Sequence, residues 1–376
     1  MSPRMYLWGL SLLPHVGSIT AKRLINVLGS EAKAFWANTR ELCAAGGLSF
    51  KNAKEVVSAR EQLDLALKWK VLNEEFIGGK NNKGLITWLD RDYPPLLHEI
   101  PDPPLVLYFW GKLECLTRPT IAIVGRRKAS PRGIGWAKRL GRELASFGIT
   151  IVSGLALGVD AAAHAGALET GMTAAILGSG LDRIYPRANN RLARAIPKKG
   201  VLISPFPSGT PPLRGNFPAR NRIISGLSRG VIVVEAGERS GSLITASLAV
   251  EQNRDVYAVP GDPLDVGASG PNRLIQDGAK LIFGAEDVLE EMYLSRQLKL
   301  PISQEHGKTA PSEASGISKL DKSLGRLLNC LDGPLHLDEI AVKTNLPAAD
   351  VTSGLIQLEL KGLVEELTKG VFQRIG

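Results

Sequence analysis

The sequence predicts an α/β protein whose core is a Rossmann-like, mostly parallel sheet. Between residues 85 and 295, short β-branched runs such as Ile121–Val124 alternate with helical stretches, which is typical of strand–helix–strand units. The chain of 376 residues is also too long for one ordinary hydrophobic core. We therefore expect two or three domains, with a small all-α domain before the sheet and a winged-helix domain after it.

The first segment, residues 1–78, shows helical periodicity that a glycine-rich stretch at residues 78–84 interrupts. Residues 13–24 are similar to a helix-hairpin-helix, in which a tight turn at Gly17 directs backbone N–H groups at a phosphate. Such a module binds the DNA backbone without recognising sequence. The alternative is that Gly17 only separates two helices of a small bundle, and the residues leave both interpretations open.

Ligands of open α/β sheets bind where the parallel strands end and their connections diverge. Four loops rich in glycine and small hydroxyl residues are expected at that edge and should line one crevice: residues 125–130, 153–155, 178–180 and 235–237. No stretch fits the dinucleotide fingerprint, because Lys138 stands where its third glycine belongs after Gly133-Ile134-Gly135. We therefore expect no cofactor.

A basic stretch at residues 214–222 precedes the apolar run at residues 231–234. It holds three arginines and Phe217, and it is predicted to form a guanidinium-rich turn that leads into a short helix. Single-stranded nucleic acid is held by cations that follow the phosphates and by aromatic rings that stack on bases. The pattern predicts an anion site, although burial of Phe217 beneath the loop is an equal alternative.

The sequence shows no set of residues whose types and spacing indicate a catalytic or metal-binding site. Asp160 and His164 form an i, i+4 pair on a predicted helix, but no activated nucleophile or ligand cluster is near them, which favours structural hydrogen bonding. Glu235 ends a strand, where it could cap a helix or position Arg222. The three cysteines are far apart. We expect no catalytic residue and no metal site.

Lysine and arginine number 46 against 37 acidic residues, which gives a formal charge of +9. This excess favours a polyanionic partner, but only modestly, because many basic proteins bind no nucleic acid. The sequence has no apolar run of the roughly 18 residues that a membrane helix needs, and its first residues lack a secretory signal. A cytoplasmic protein without membrane contact is expected.

The last part of the sequence predicts a linker followed by a winged helix. Residues 296–318 are dominated by Ser, Gly, Pro, Lys and Glu, and residues 319–376 suit three helices and a hairpin that turns at residues 368–370. The third helix, from Ala348 through Leu360, is nearly free of positive charge. This argues against sequence-specific duplex recognition and favours protein contact or accessory DNA contact.

Four sequence motifs, at residues 151–160, 177–186, 217–228 and 257–262, recur in this order in one family. Over roughly residues 4 to 374 the chain resembles the DNA-processing protein A family, also called DprA or Smf. The resemblance implies a SAM-like, helix-hairpin-helix domain at residues 1–78 and a core at residues 85–295 that binds single-stranded DNA. It also implies a homodimer without enzymatic activity that protects incoming strands and loads the RecA recombinase during natural transformation.

The DNA-contacting pattern of the family carries over to Arg127, Arg214, Phe217, Arg220 and Asn221. Together with neighbouring basic and small residues, the candidate DNA-binding set consists of Arg126, Arg127, Lys128, Ser153, Gly154, Gly178, Gly180, Arg214, Phe217, Arg220, Asn221 and Arg222. The sequence departs from the family at two positions, because Arg126 replaces the usual serine and Pro205 replaces the usual glutamate. Arg126 adds charge that suits phosphate, whereas Pro205 removes an acid that would shape the loop.

Two rival functions fit parts of the sequence. The crevice resembles in outline that of phosphoribohydrolases, which bind and cleave nucleotides on a related sheet. Residues 240–245 lack the spacing of the Pro-Gly-Gly-x-Gly-Thr loop that those enzymes share. A winged-helix transcription regulator with a ligand-sensing core is the second rival, and the acidic third helix argues against it.

Overall fold

The structure, a computed structural model, describes residues 2–76 and 82–297. Toward the C-terminus it describes residues 326–331, 333–344, 346–347, 351, 354–355, 358, 364–368 and 371–374. The chain divides into two compact units, Met1–Leu300 and Pro301–Gly376. The predicted linker lies almost wholly outside the described residues, and the predicted domain boundaries near residues 78 and 85 stay predictions.

Six helices begin the first unit: α1 (Pro3–Leu12), α2 (Ser18–Leu28), α3 (Glu31–Trp36), α4 (Thr39–Ala44), α5 (Phe50–Glu61) and α6 (Leu65–Phe76). Short polar residues begin several of them. Asn38 and Glu41, for example, form a capping box at the start of α4. One apolar cluster contains both the buried side chains of these helices and Tyr108 of the sheet. The indole Nε1 of Trp8 donates to the Tyr108 hydroxyl at 2.7 Å, so the helices and the sheet pack as one body.

Nine strands form one sheet: β1 (Lys83–Thr87), β2 (Val106–Gly111), β3 (Thr120–Val124), β4 (Thr150–Ser153), β5 (Thr173–Ile176), β6 (Val201–Ser204), β7 (Gly230–Val233), β8 (Asp255–Ala258) and β9 (Lys280–Leu281). Their order is β1-β2-β6-β5-β4-β3-β7-β8-β9. The pairs β1–β2 and β2–β6 are antiparallel, and the others are parallel. The predicted Rossmann-like, mostly parallel sheet is confirmed.

Eight helices accompany the sheet: α7 (Pro95–His98), α8 (Pro131–Ser146), α9 (Val159–Thr170), α10 (Asn190–Lys199), α11 (Asn216–Gly226), α12 (Gly241–Glu251), α13 (Ser269–Gln276) and α14 (Ala285–Gln297). The central parallel strands β3, β4 and β7 are buried throughout, as expected for a sheet covered on both faces. The chain leaves β3 toward β4 on one side and later returns to place β7 on the other. This reversal of strand order predicts a ligand site at the carboxyl ends of β3, β4 and β7.

The described part of the second unit includes α15 (Leu337–Thr344), further helical residues at 326–329, and three strands, β10 (Leu335–His336), β11 (Val364–Thr368) and β12 (Val371–Arg374). The strands pair in the order β10-β12-β11, and β11 and β12 form the predicted hairpin. A small apolar core includes Leu327, Ile340 and Phe372. The predicted third helix lies largely outside the described residues. Among the helices that the structure describes, none is long and apolar enough to cross a membrane.

Candidate nucleic-acid interface

A crevice of about 750 Å³ opens at the carboxyl ends of the central strands, where the reversal of strand order predicts it. Its walls come from the loop after β3, the β4–α9 connection, the loop and helix around α11, and the start of α12. Three arginines line it, and Asp160 is the one acid among its lining residues. The crevice is therefore suited to an anion.

We call three residues that line the opening of the crevice its rim: Arg127 and Arg214, which are exposed, and Phe217. The Arg127 guanidinium carbon lies 5.5 Å from the centroid of the Phe217 ring, which is a cation–π distance. The Phe217 ring is half-buried and lies 5.8 Å from the ring of Tyr185, which is 45% exposed. The burial that was the alternative for Phe217 is thus only partial, and the ring borders the open crevice.

Arg220 lies on the floor of the crevice and is only 4% exposed. Its Nη1 donates to the carbonyl oxygen of Gly154 at 2.6 Å and also to that of Ile176. Burial lowers the pKa of Arg220 to about 10, which nearby Asp160 opposes, and the side chain stays charged at neutral pH. Arg220 thereby joins the ends of β4 and β5 to α11, and phosphate contact by this residue stays a prediction.

Asp160 and His164, which the sequence places on one helix face, both serve buried structural hydrogen bonds. The Asp160 carboxylate accepts the N–H groups of Gly154 at 3.1 Å and Ala156 at 3.3 Å. Burial raises the pKa of Asp160, and the charge of Arg220 opposes that shift. We call Asp160 and Arg220 the floor pair. Both side chains hydrogen-bond the backbone of the β4–α9 connection, Asp160 at the N–H groups of Gly154 and Ala156 and Arg220 at the Gly154 carbonyl oxygen.

His164 is fully buried beside the floor pair. Its Nδ1 lies 2.6 Å from the Thr173 hydroxyl oxygen, and that hydroxyl donates to the Ile151 carbonyl oxygen. The hydrogen therefore sits on Nδ1, which donates a hydrogen bond to the Thr173 oxygen. The second ring nitrogen, Nε2, is buried without a partner among the described residues. Burial lowers the pKa of His164 to about 3, so the ring is neutral.

The structure begins α11 earlier than the sequence indicates. The helix starts at Asn216, so Arg220 and Arg222 lie in its middle and not in a turn before it. Pro218 is tolerated because the N–H groups of the first helical turn have no partner within the helix. Arg222 is not among the residues that line the crevice, and its Nη1 pairs with the Asp102 carboxylate at 3.2 Å. Asn221 does line it and donates to the Gly241 carbonyl oxygen at 3.3 Å.

Two glycines are required by close packing at the crevice. A Cβ atom at Gly154 would lie 2.2 Å from Nη1 of Arg220, and one at Gly178 would lie 2.9 Å from the Phe217 ring. Both glycines are buried and act by admitting these side chains. Gly180 and Ser153 are also buried, and the Ser153 hydroxyl donates to the Ile123 carbonyl oxygen at 2.6 Å.

Glu235 caps a helix, one of the two roles that the sequence leaves open. Its carboxylate accepts the Ser130 N–H at 2.9 Å and the Ser130 hydroxyl, and Ser130 in turn caps α8. A carboxylate at a helix N-terminus is favoured by the helix dipole. Arg126 is half-buried on this side and Lys128 is exposed, and neither is among the residues that line the crevice.

Sequence reasoning missed the wall that α12 supplies. Ser240, Ser242 and Thr245 line the crevice at the start of this helix, where the Ser240 side chain accepts the Ser242 N–H. The free N–H groups of the first turn add to the positive potential of the arginines. Tyr185 was missed as well, although it lies in the recurring motif at residues 177–186. The sequence signal that could have indicated the α12 wall was the series of small hydroxyl residues after β7, at Ser240, Ser242 and Thr245.

Comparison with protein families agrees with this architecture. A family described as DNA recombination-mediator protein A matches residues 84–293, and the DprA winged helix domain matches residues 310–370. Protein Smf of Synechocystis is 36% identical over 400 residues, which cover 99% of this chain and 99% of that protein. The DNA processing protein DprA of Streptococcus pneumoniae is 48% identical over 204 residues, 54% of this chain and 72% of that protein. The predicted winged helix is confirmed.

Two solved structures resemble the chain. DNA processing protein A of Streptococcus pneumoniae aligns with a TM-score of 0.67 at 37% identity and covers 76% of this chain and 97% of that one. The protein of the same name from Helicobacter pylori aligns with a TM-score of 0.52 at 31% identity, over 57% of this chain and 98% of that one. The latter is described by its single-stranded DNA binding mode.

Proposed function

The chain belongs to the DNA recombination-mediator protein A family, DprA or Smf, and from that premise we propose that it is a DNA-processing protein that binds single-stranded DNA in its crevice. The observation that carries the proposal is the rim, where the Arg127 guanidinium lies over the half-buried Phe217 ring at the strand ends. A cation beside an accessible aromatic face is the pair of groups that a single strand needs.

In this proposal the rim of the crevice contacts the DNA, whereas the floor of the crevice has a structural role. Arg127 and Arg214 are exposed and meet phosphates, while Phe217 stacks on a base. The N-terminus of α12 attracts a further phosphate, and Asn221 completes the wall beside it. The floor pair and the glycines keep the loops in place.

The proposed activity is binding without catalysis. Within the described residues that line the crevice, the carboxylate of Asp160 is committed to two backbone N–H groups, which leaves no general base poised next to a serine. As the family resemblance implies, we propose that the bound strand is incoming DNA in natural transformation, which the protein protects in the cytoplasm and delivers to RecA. Pairing of two chains through their cores would place two crevices on one strand and raise avidity.

The proposal is tested by titrating labelled oligothymidine and a duplex of equal length by fluorescence anisotropy in a salt series. We expect tighter binding of the single strand and a loss of affinity of at least tenfold between about 50 and 200 mM salt, because neutralised phosphates release counterions. Nucleotide hydrolysis is measured on the same preparation. Equal affinity for both DNA forms, or cleavage of a nucleoside monophosphate, would contradict the proposal and favour the phosphoribohydrolase alternative.

A further inference from the structure

A second groove of about 770 Å³ lies next to the crevice. It is bounded by the paired strands β1 and β2, by the loop after β5 and by α10. The second groove has lining side chains that do not belong to the DNA-binding set predicted from the sequence. They include four cations, namely Lys83, Arg183, Arg187 and Arg194, and one aromatic residue on the sheet, Trp110.

The charge of this second groove is strongly positive. Asp182 is the one acid among its lining residues, and it is engaged by Arg183 at 3.4 Å and by the Gly209 N–H at 2.9 Å. Within the described part of the chain, Lys83 and Arg194 have no ion-pair partner. Unneutralised cations that face a concave surface indicate a polyanionic ligand.

Trp110 gives the second groove a fixed aromatic face. It lies directly opposite Lys83 in the β1–β2 pair, and the Lys83 Nζ is 5.7 Å from the centroid of the Trp110 ring. The ring is half-buried, because one side packs against the apolar cluster that the N-terminal helices share with the sheet. Trp110 is also among the residues that line the second groove. The arrangement of cation and ring repeats that of Arg127 and Phe217 on the rim.

The two concavities share part of their lining. Tyr185 and Pro212 line both of them, and the Tyr185 ring lies 5.8 Å from that of Phe217. From this juxtaposition we propose that the second groove extends the single-strand path, so that a strand leaving the crevice passes Tyr185, stacks a base on Trp110 and lays its phosphates along Lys83 and Arg194. This extension rests on the proposed function. A paired base cannot present its face to Trp110, so the ligand is single-stranded.

If the second groove extends the path, the affinity for single-stranded DNA should increase once the strand is long enough to reach Trp110. Binding in the crevice alone predicts no such increase. An oligothymidine of about 6 nucleotides is held by the crevice, whereas one of about 16 nucleotides also reaches Trp110. The variant Trp110→Leu keeps an apolar contact with the core but removes the ring face. We expect it to bind the long strand about 5- to 140-fold more weakly than the parent and the short strand equally well.

Arg194→Ala provides the second measurement, with Arg191→Ala as its matched control. Both arginines are exposed on α10, but only Arg194 lines the second groove. On the long strand, Arg194→Ala should lower the salt dependence of log K by about 0.7, and Arg191→Ala should leave it at the parent value. A parental length dependence in Trp110→Leu, or equal effects of the two arginine variants, overturns the extension while the crevice proposal stands. If the parent binds neither strand, the crevice proposal itself fails.

Discussion

The floor and the rim of the crevice both use arginine, but in opposite environments. Arg220 is 4% exposed and donates to carbonyl oxygens at two strand ends, whereas Arg127 is exposed and lies over an aromatic ring. Desolvating a guanidinium costs free energy that only close hydrogen bonds and a nearby acid offset, so the floor arginine is committed to the fold. A guanidinium at the rim keeps its water and can exchange it for a phosphate.

The largest effect that separates floor from rim is expected for Arg220→Ala. Removing this side chain leaves Asp160 buried without its cation and frees two carbonyl oxygens, which should lower the free energy of unfolding by roughly 3 to 5 kcal/mol. All six tryptophans lie before residue 137, so chaotrope unfolding followed by tryptophan fluorescence reports on the first unit. The exposed Arg214→Ala is the control and should change stability by less than about 0.5 kcal/mol.

A stable Arg220→Ala protein with a weakened affinity for DNA would reverse this assignment. Arg220 would then be a phosphate ligand of the same kind as Arg127. Loss of stability in Arg214→Ala would likewise show that the rim is part of the packed core.

Phe217 carries the next largest effect, and here the readout is binding. Phe217→Leu keeps apolar volume against Gly178 but removes the ring, so we expect a loss of roughly 1 to 3 kcal/mol in single-strand affinity with an unchanged salt slope. Phe217→Tyr retains a stacking face and should bind like the parent. The measurement is anisotropy at several salt concentrations. Parental affinity in Phe217→Leu would assign the ring to packing alone.

The sequence predicted the sheet and the edge at which the crevice lies, because both depend on local signals. Its expectation that four loops line the crevice was wrong for three of them, since residues 153–155, 178–180 and 235–237 contribute no lining residue and only residues 125–130 do. Strand periodicity placed the loops at one edge, and the arginines near Phe217 predicted an anion site there, which stays a prediction. The environment of Arg220 was not predictable, because its carbonyl partners lie 66 and 44 residues away along the chain. Arginine side chains are seldom fully buried, so the residue type alone predicts an exposed Arg220. Tertiary packing also decided that Arg222 pairs with Asp102 and does not line the crevice.

The buried His164, which lies beside the floor pair, should make the stability of the first unit decrease at acidic pH. Its folded pKa of about 3 lies below the ordinary value of 6.5, so the unfolded chain binds a proton that the folded chain does not. Stability from this group is complete above pH 6.5 and is lost as pH falls toward 3, by at most about 1.4 kcal/mol per pH unit. The raised pKa of Asp160 has the opposite sign and offsets part of the loss.

The measurement is the free energy of unfolding at pH 6.5 and pH 5, compared with that of His164→Gln. Glutamine does not titrate in this range, so the variant should lose less stability on acidification than the parent does, whatever its stability at neutral pH. Equal losses in the two proteins would remove His164 as the source of the acid sensitivity.

The smallest effect, and the finest test of the rim, separates Arg127 from the adjacent Lys128. Both side chains are exposed, but only Arg127 lines the crevice and contacts the Phe217 ring. Arg127→Ala should cost about 0.2 to 1 kcal/mol of affinity, comparable with an exposed ion pair, and reduce the salt slope by about 0.7 for one lost single-strand phosphate contact. Lys128→Ala removes the same charge one residue away and should leave the slope close to that of the parent. If both variants flatten the slope equally, the strand responds to the net charge of the loop, and the position of Arg127 over Phe217 has no part in binding.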